Sequence, residues 1–124
     1  MLTDNVKDVE RNIREACLRC GRDPEEVTLV AVSKTKPVSD IEEVITAGIK
    51  DFGENKVQEL TSKHEVLPDD LRWHMIGHLQ TNKVKYIVGK VVLIHSVDSL
   101  KLARQIDKES AKAGVLSDIL LEVN

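Results

Sequence analysis

The sequence lacks any apolar stretch long enough to cross a bilayer, and it lacks an excess of positive charge. Its longest apolar runs, such as residues 91–94, fall far short of the roughly 20 residues that a membrane-spanning helix needs. Lysine and arginine are dispersed among acidic residues, and the net charge is −3. The first residues, MLTD, show no signal-peptide pattern. We therefore expect a cytoplasmic protein that binds neither nucleic acid nor membrane.

Cysteine is scarce, and the two cysteines that are present, Cys17 and Cys20, do not form a convincing reactive pair. A redox C-x-x-C usually lies at a helix N-terminus, whereas this one precedes Gly21 at the end of an amphipathic pattern. A zinc site would need further ligands, and His74 and His78 share no helical face because they fall in a predicted strand and its end. We expect no metal site, and we expect both cysteines to be small apolar residues on a buried helix face.

Strand patterns alternate with helix patterns along the whole chain. The predicted strands are residues 27–32, 49–53, 71–77, 91–95 and 119–123. The first is uniformly apolar, which predicts burial on both of its faces. A leading helix ends at Gly21 and another helix ends at Gly114, and Val84, Ile87 and Val88 indicate a helix between the third and fourth strands. Ser39 and Glu42 have the spacing of a capping box.

This alternation leaves two α/β architectures, an open doubly wound sheet or a closed eight-stranded barrel. No glycine-rich phosphate fingerprint follows the first strand, which disfavours the nucleotide-binding open sheet. The chain ends in or just after its fifth predicted strand, and a complete barrel takes about 250 residues. We therefore predict one partial domain over residues 1–124, the N-terminal half of a parallel (β/α)8 TIM barrel with five of its eight strands and a leading helix.

Lys34 stands at the carboxyl end of the first predicted strand, where barrel enzymes place their working groups. A lysine buried there would have a lowered pKa, and only the neutral amine attacks an aldehyde. The alternative is that the strand has already ended and that Lys34 and Lys36 are solvated residues of a loop.

Three longer motifs bear on that choice. They are residues 30–37 (VAVSKTKP), residues 52–59 (FGENKVQE) and residues 73–83 (WHMIGHLQTNK). Together with residues 19–26 (RCGRDPEE), they resemble the signatures of the pyridoxal phosphate homeostasis protein family. The resemblance covers the chain from its first helix to its last strand, and it implies a barrel of the alanine racemase N-terminal type.

The resemblance implies that Lys34 holds pyridoxal 5′-phosphate as a Schiff base, without evident catalysis. It implies that Asn55 faces the ring side of the cofactor, although Asn55 could equally be the N-cap of the next helix. Met75 and Ser96 could touch the cofactor, and packing explains each of them as well. The family's phosphate-binding residues lie in the second half of the barrel, so we expect this chain to retain its cofactor poorly.

Other functions stay open at this stage. A racemase or decarboxylase barrel domain is the main alternative, a lysine aldolase is another, and an inactive structural fragment is a third. We expect the full-length protein to be a monomer and this chain to self-associate through an unpaired strand edge.

Overall fold

A computed structural model, in which residues 1–123 are described, contains one sheet of five parallel strands. The strands are β1 (Ala31–Val32), β2 (Asp51–Glu54), β3 (Arg72–Met75), β4 (Val91–Val97) and β5 (Ile119–Leu121). Each strand pairs with the next one along the chain, in the order β1-β2-β3-β4-β5. The prediction of five parallel strands joined in sequence is confirmed.

Four α-helices and two 3₁₀ helices precede or connect the strands. The α-helices are α1 (Leu2–Cys20), α2 (Val38–Thr46), α3 (Val57–Val66) and α4 (Leu100–Ala113), and the 3₁₀ helices are Pro24–Glu26 and Thr81–Tyr86. Helix α1 ends at Gly21 with φ 76° and α4 ends at Gly114 with φ 69°. Both glycines adopt the left-handed conformation that closes a helix, as the sequence predicts.

The hydrophobic core lies between the sheet and its helices. Phe52 on β2 and Trp73 on β3 are each 1% exposed, and their ring centroids are 5.8 Å apart. Leu60 of α3 and Leu102 of α4 pack into the same cluster. Burying such side chains contributes roughly 1.5–3 kcal/mol each. The helices are therefore fixed on one side of the sheet, and the carboxyl ends of the strands form a common edge.

The predicted burial of the first strand on both faces is wrong. Only Ala31 and Val32 pair with β2, and the side chain of Val32 is 53% exposed. The reason is that β1 is the end strand of the sheet, with β2 as its one neighbour in the described part of the chain.

Three local predictions are also corrected. Residues Thr81–Tyr86 form a 3₁₀ helix instead of an α-helix, with Ile87 as its C-cap. Val84 and Ile87 are three residues apart, one turn of such a helix, and both are fully buried. Ser39 does not cap α2, because Pro37 is the N-cap and Ser39 lies inside the first turn. Cys17 is buried as predicted, whereas Cys20 is exposed in the last turn of α1.

Candidate functional site

Lys34 lies in a tight turn directly after β1, at the carboxyl edge of the sheet. The backbone N–H of Lys36 donates to the Ser33 carbonyl oxygen at 3.1 Å and closes the turn. Lys34 and Lys36 are both exposed, as the solvated-loop alternative expected. Thr35 has φ 63°, in the left-handed region that β-branched residues rarely adopt. The amine of Lys34 is therefore accessible, and it is carried by an unusual turn.

Ser33, the residue before Lys34, is buried and held from three directions. Its N–H donates to the Gly53 carbonyl oxygen at 3.0 Å. Its hydroxyl donates to the Glu54 carboxylate, and its carbonyl oxygen accepts from Lys63 Nζ at 2.7 Å. Ser33 is thereby bonded to both β2 and α3.

Lys63 also forms ion pairs with two carboxylates. Its Nζ lies 2.8 Å from Glu54 Oε2 and 2.8 Å from Glu59 Oε2. Glu59 Oε2 accepts from the backbone N–H of Thr35 at 2.7 Å. The Glu54 side chain is fully buried, and its second oxygen, Oε1, has no hydrogen-bond partner among residues 1–123.

The charges in this cluster reinforce one another. The hydrogen bond from Lys63, with a smaller contribution from the Thr35 N–H, holds the pKa of Glu59 below its usual range despite some burial. Burial alone would lower the pKa of Lys63, but its hydrogen bonds to Glu54 and Glu59 outweigh burial and raise that pKa. Glu59 and Lys63 therefore remain charged at neutral pH.

Asn55 follows β2 at the same edge of the sheet. The ladder pairs Val32 with Gly53, so the strand ends that precede Lys34 and Asn55 are neighbours at this edge. Asn55 is not the N-cap of α3, because Lys56 occupies that position. Of the two roles considered for Asn55, the capping role is wrong, and the Asn55 side chain is not committed to the helix.

Gly77, in the loop after β3, lies against Asn55. A Cβ built on Gly77 would lie 2.6 Å from Asn55 Oδ1 and 2.7 Å from the Asn55 carbonyl oxygen. Asn55 and His78 also line an open groove of about 300 Å³ between α3 and the loop after β3. The absence of a side chain at position 77 therefore allows Asn55 to sit where it does.

A second polar cluster joins the strands β2, β3 and β4. Asp51 Oδ2 is 2.8 Å from His74 Nε2, and His74 Nδ1 is 2.9 Å from His95 Nε2. Burial alone would raise the pKa of Asp51. Hydrogen bonds from Arg72 and His74 outweigh burial, so the pKa of Asp51 lies below its usual range. Burial and the neighbouring His74 lower the pKa of His95.

Met75 and Ser96, which the sequence also placed near the cofactor, make contacts with other parts of the domain. Met75 is fully buried in the hydrophobic core. Ser96 donates from its hydroxyl to the Ile76 carbonyl oxygen at 3.1 Å. His78 is exposed, whereas His74 is buried in the cluster described above. Within the described residues, no group of three or more His, Cys, Asp or Glu side chains is arranged to hold a metal ion.

Sequence reasoning missed both polar clusters. Two signals were available for the first: Glu59 and Lys63 are four residues apart on one helix, and Glu54 is a charged residue in a buried strand. For the second, Asp51 is an acidic residue in that same strand.

The fold and the site define a class of protein: a parallel α/β domain with an exposed lysine at the carboxyl edge of its sheet. An alanine racemase from Streptomyces coelicolor shares this fold, with a TM-score of 0.66 and 20% identity over 93% of this chain and 31% of that one. No helix of the described residues has the length and apolar character needed to cross a membrane.

Similarity to the pyridoxal phosphate homeostasis protein family, predicted from the motifs, is confirmed. The chain is 48% identical to that protein from Aquifex aeolicus over 98% of this chain, and 41% identical to that of Pseudomonas aeruginosa over 99%. In each case it spans 54% of the relative, so the chain spans about half the length of the curated relatives it matches. No family model matches the chain.

Two solved structures match nearly the whole chain. A protein of unknown function from Bifidobacterium adolescentis has a TM-score of 0.91 and 35% identity, covering 99% of this chain and 55% of that one. PipY of Synechococcus elongatus, solved with pyridoxal phosphate bound, has a TM-score of 0.79 and 38% identity, covering 100% of this chain and 55% of PipY.

Proposed function

We propose that this chain binds pyridoxal 5′-phosphate through Lys34 as part of a protein for pyridoxal phosphate homeostasis. The observation that carries the proposal is the accessible Lys34 amine on a firmly held turn at the carboxyl edge of a parallel sheet. That edge is where proteins of this architecture place their ligands. Similarity to PipY, solved with pyridoxal phosphate bound, supports the choice of ligand.

The residues at this edge fit the cofactor. Its aldehyde supplies the chemistry, by forming a Schiff base with a lysine amine. Lys34 presents an amine free of any ion pair or hydrogen bond among residues 1–123. Asn55 is half-buried at the end of the neighbouring strand β2, with a side chain that is not used as a helix cap, and we propose that it faces the cofactor ring.

We propose that the protein is a carrier and not an enzyme. Binding through Lys34 is reversible and needs only the amine, whereas turnover of an amino acid also needs positioned acids and bases and a closed site. The name of the relatives supports a role in homeostasis. We place this role in the cytoplasm, without a nucleic acid or membrane partner.

The chain itself corresponds, in our proposal, to one partial domain over residues 1–124, the N-terminal half of a (β/α)8 barrel. The 54% coverage of the relatives and the sequential order of five parallel strands support this. The end strands β1 and β5 carry exposed apolar side chains, at Val32 and Leu121. We propose that the other half of the barrel covers them in a monomeric full-length protein, and that the isolated chain self-associates through these edges and retains the cofactor weakly.

A titration with pyridoxal phosphate tests the proposed function. The absorbance change that accompanies binding is followed in the unsubstituted chain, in Lys34→Ala and in the control Lys36→Ala. Lys36 is also exposed and only two residues away, so its loss should leave the titration unchanged. Loss of the saturable change in Lys34→Ala alone is the expected result. A titration that survives in Lys34→Ala would overturn the proposal.

A further inference from the structure

A buried ionic cluster lies directly against the Lys34 turn. It consists of Glu54 at the end of β2 and of Glu59 and Lys63 on α3, and we call it the Lys63 cluster. We propose that the Lys63 cluster is a positioning device that fixes the Lys34 amine for the cofactor. The inference rests on the proposed function of Lys34. Formation of the Schiff base on Lys34 needs none of these three side chains.

The cluster contacts the residue before Lys34 and the residue after it. Before Lys34, the Ser33 carbonyl oxygen accepts from Lys63 Nζ at 2.7 Å, and the Ser33 hydroxyl donates to Glu54. After Lys34, the Thr35 N–H donates to Glu59 Oε2 at 2.7 Å. The cluster therefore holds the turn by hydrogen bonds to Ser33 and Thr35, and it leaves the Lys34 side chain exposed.

The backbone conformation of Thr35 needs such contacts to hold it. Thr35 has φ 63°, and a β-branched residue avoids that region unless its surroundings impose it. The charge-assisted hydrogen bond from the Thr35 N–H to Glu59 is the contact that holds the residue there. Without it, the turn can relax toward other conformations that direct the Lys34 side chain elsewhere.

The same cluster links Lys34 to Asn55. Glu54 immediately precedes Asn55, and α3, which carries Glu59 and Lys63, begins two residues after it. Because Lys63 bonds to Ser33 and to Glu54, the strand end that carries Lys34 and the strand end that carries Asn55 are fixed to one ammonium group. The cluster would thereby keep the separation between Lys34 and Asn55 constant when the cofactor binds.

The first test needs no cofactor. Glu59→Ala removes the acceptor for the Thr35 N–H, and it should leave the fold intact because Glu59 is a partly exposed helical residue for which alanine is a good replacement. We expect amide hydrogen exchange at Thr35 to accelerate about tenfold or more, the factor for losing one charge-assisted hydrogen bond. Glu65→Ala, at an exposed position of the same helix, is the matched control and should not alter it.

The second test uses pyridoxal phosphate as the probe. The chain is incubated with it and reduced with borohydride, and peptide mass spectrometry gives the ratio of adduct on Lys34 to adduct on Lys36. We expect Glu59→Ala to lower this ratio about tenfold, in proportion to the lost contact. Glu59→Gln keeps a neutral acceptor and should restore part of the ratio, and Glu65→Ala should leave it unchanged.

The two tests separate the positioning role from the proposed function. If the unsubstituted chain favours Lys34 but Glu59→Ala has the same ratio as Glu65→Ala, the positioning role is overturned and the proposed function stands. If the unsubstituted chain does not favour Lys34, the proposed function fails, and with it the role of the cluster for a cofactor. Unchanged amide exchange at Thr35 in Glu59→Ala would overturn the claim that the cluster holds the turn, independently of any result with the cofactor.

Discussion

Replacing Lys63 by methionine should destabilise the fold strongly, because it leaves a buried carboxylate without its countercharge. The side chain of Lys63 is 7% exposed and that of Glu54 is 0% exposed, and they lie 2.8 Å apart. Breaking such a buried pair by removing one partner costs about 3–5 kcal/mol. A domain is typically stable by only about 5–15 kcal/mol, so Lys63→Met should remove a large part of the free energy of unfolding.

Urea unfolding followed by tryptophan fluorescence measures this loss. The chain has one tryptophan, Trp73, which is 1% exposed in the core and therefore reports global unfolding. Lys112→Met is the control, because the Lys112 side chain is 63% exposed and its loss should change stability by less than about 0.5 kcal/mol.

A second variant identifies the cause. In Glu54→Gln with Lys63→Met the buried charge is gone, so most of the lost stability should return. A loss below about 1 kcal/mol in Lys63→Met, or a double variant no more stable than the single one, would refute this reasoning.

Three further predictions concern the site and its pH dependence. Gly77→Ala should displace both the side chain and the backbone of Asn55, lower the urea midpoint, and weaken pyridoxal phosphate binding by the folded chain in the titration; unchanged binding would contradict the contact. Thr35→Gly should raise thermal stability by up to about 1 kcal/mol, because glycine adopts φ 63° without strain, and a lower melting temperature would count against strain at this turn. The folded-state pKa values of Asp51 and His95 lie below their ordinary 3.8 and 6.5, so the unfolded state takes up protons first as the pH falls. The contribution of these two groups to the free energy of unfolding is complete above about pH 6.5. On acidification it declines first for His95 and then, near and below pH 3.8, for Asp51. Urea midpoints that do not fall between pH 7 and pH 3 would contradict this.

Much of the fold follows from local patterns in the sequence. The five strands and the helix ends at Gly21 and Gly114 were predictable, because strand runs, helical periodicity and glycine termini are local signals. Their parallel order also followed, since alternating strands and helices leave few connections. The short 3₁₀ helix was not predicted because Val84 and Ile87 fit both a helix with three residues per turn and an α-helix.

The candidate site was predicted only in part. Lys34 and Asn55 were identified from motifs, and the position of each at a strand end follows from the chain's alternation. Local sequence could not show that Lys63 reaches Ser33, thirty residues earlier, or that His74 lies between Asp51 and His95. The first contact depends on how α3 packs against the sheet and the second on the register of neighbouring strands, and local patterns specify neither.

The most direct test of the central claim is to locate the covalent adduct of pyridoxal phosphate. The chain is incubated with the cofactor, reduced with borohydride and digested, and mass spectrometry measures the modified fraction of each lysine. PipY of Synechococcus elongatus, solved with pyridoxal phosphate bound, serves as the positive control for the reaction. We predict that Lys34 is modified well above Lys36 and the other exposed lysines. Modification spread evenly over the exposed lysines, or absent from Lys34, would contradict the claim that this turn presents the cofactor-binding amine.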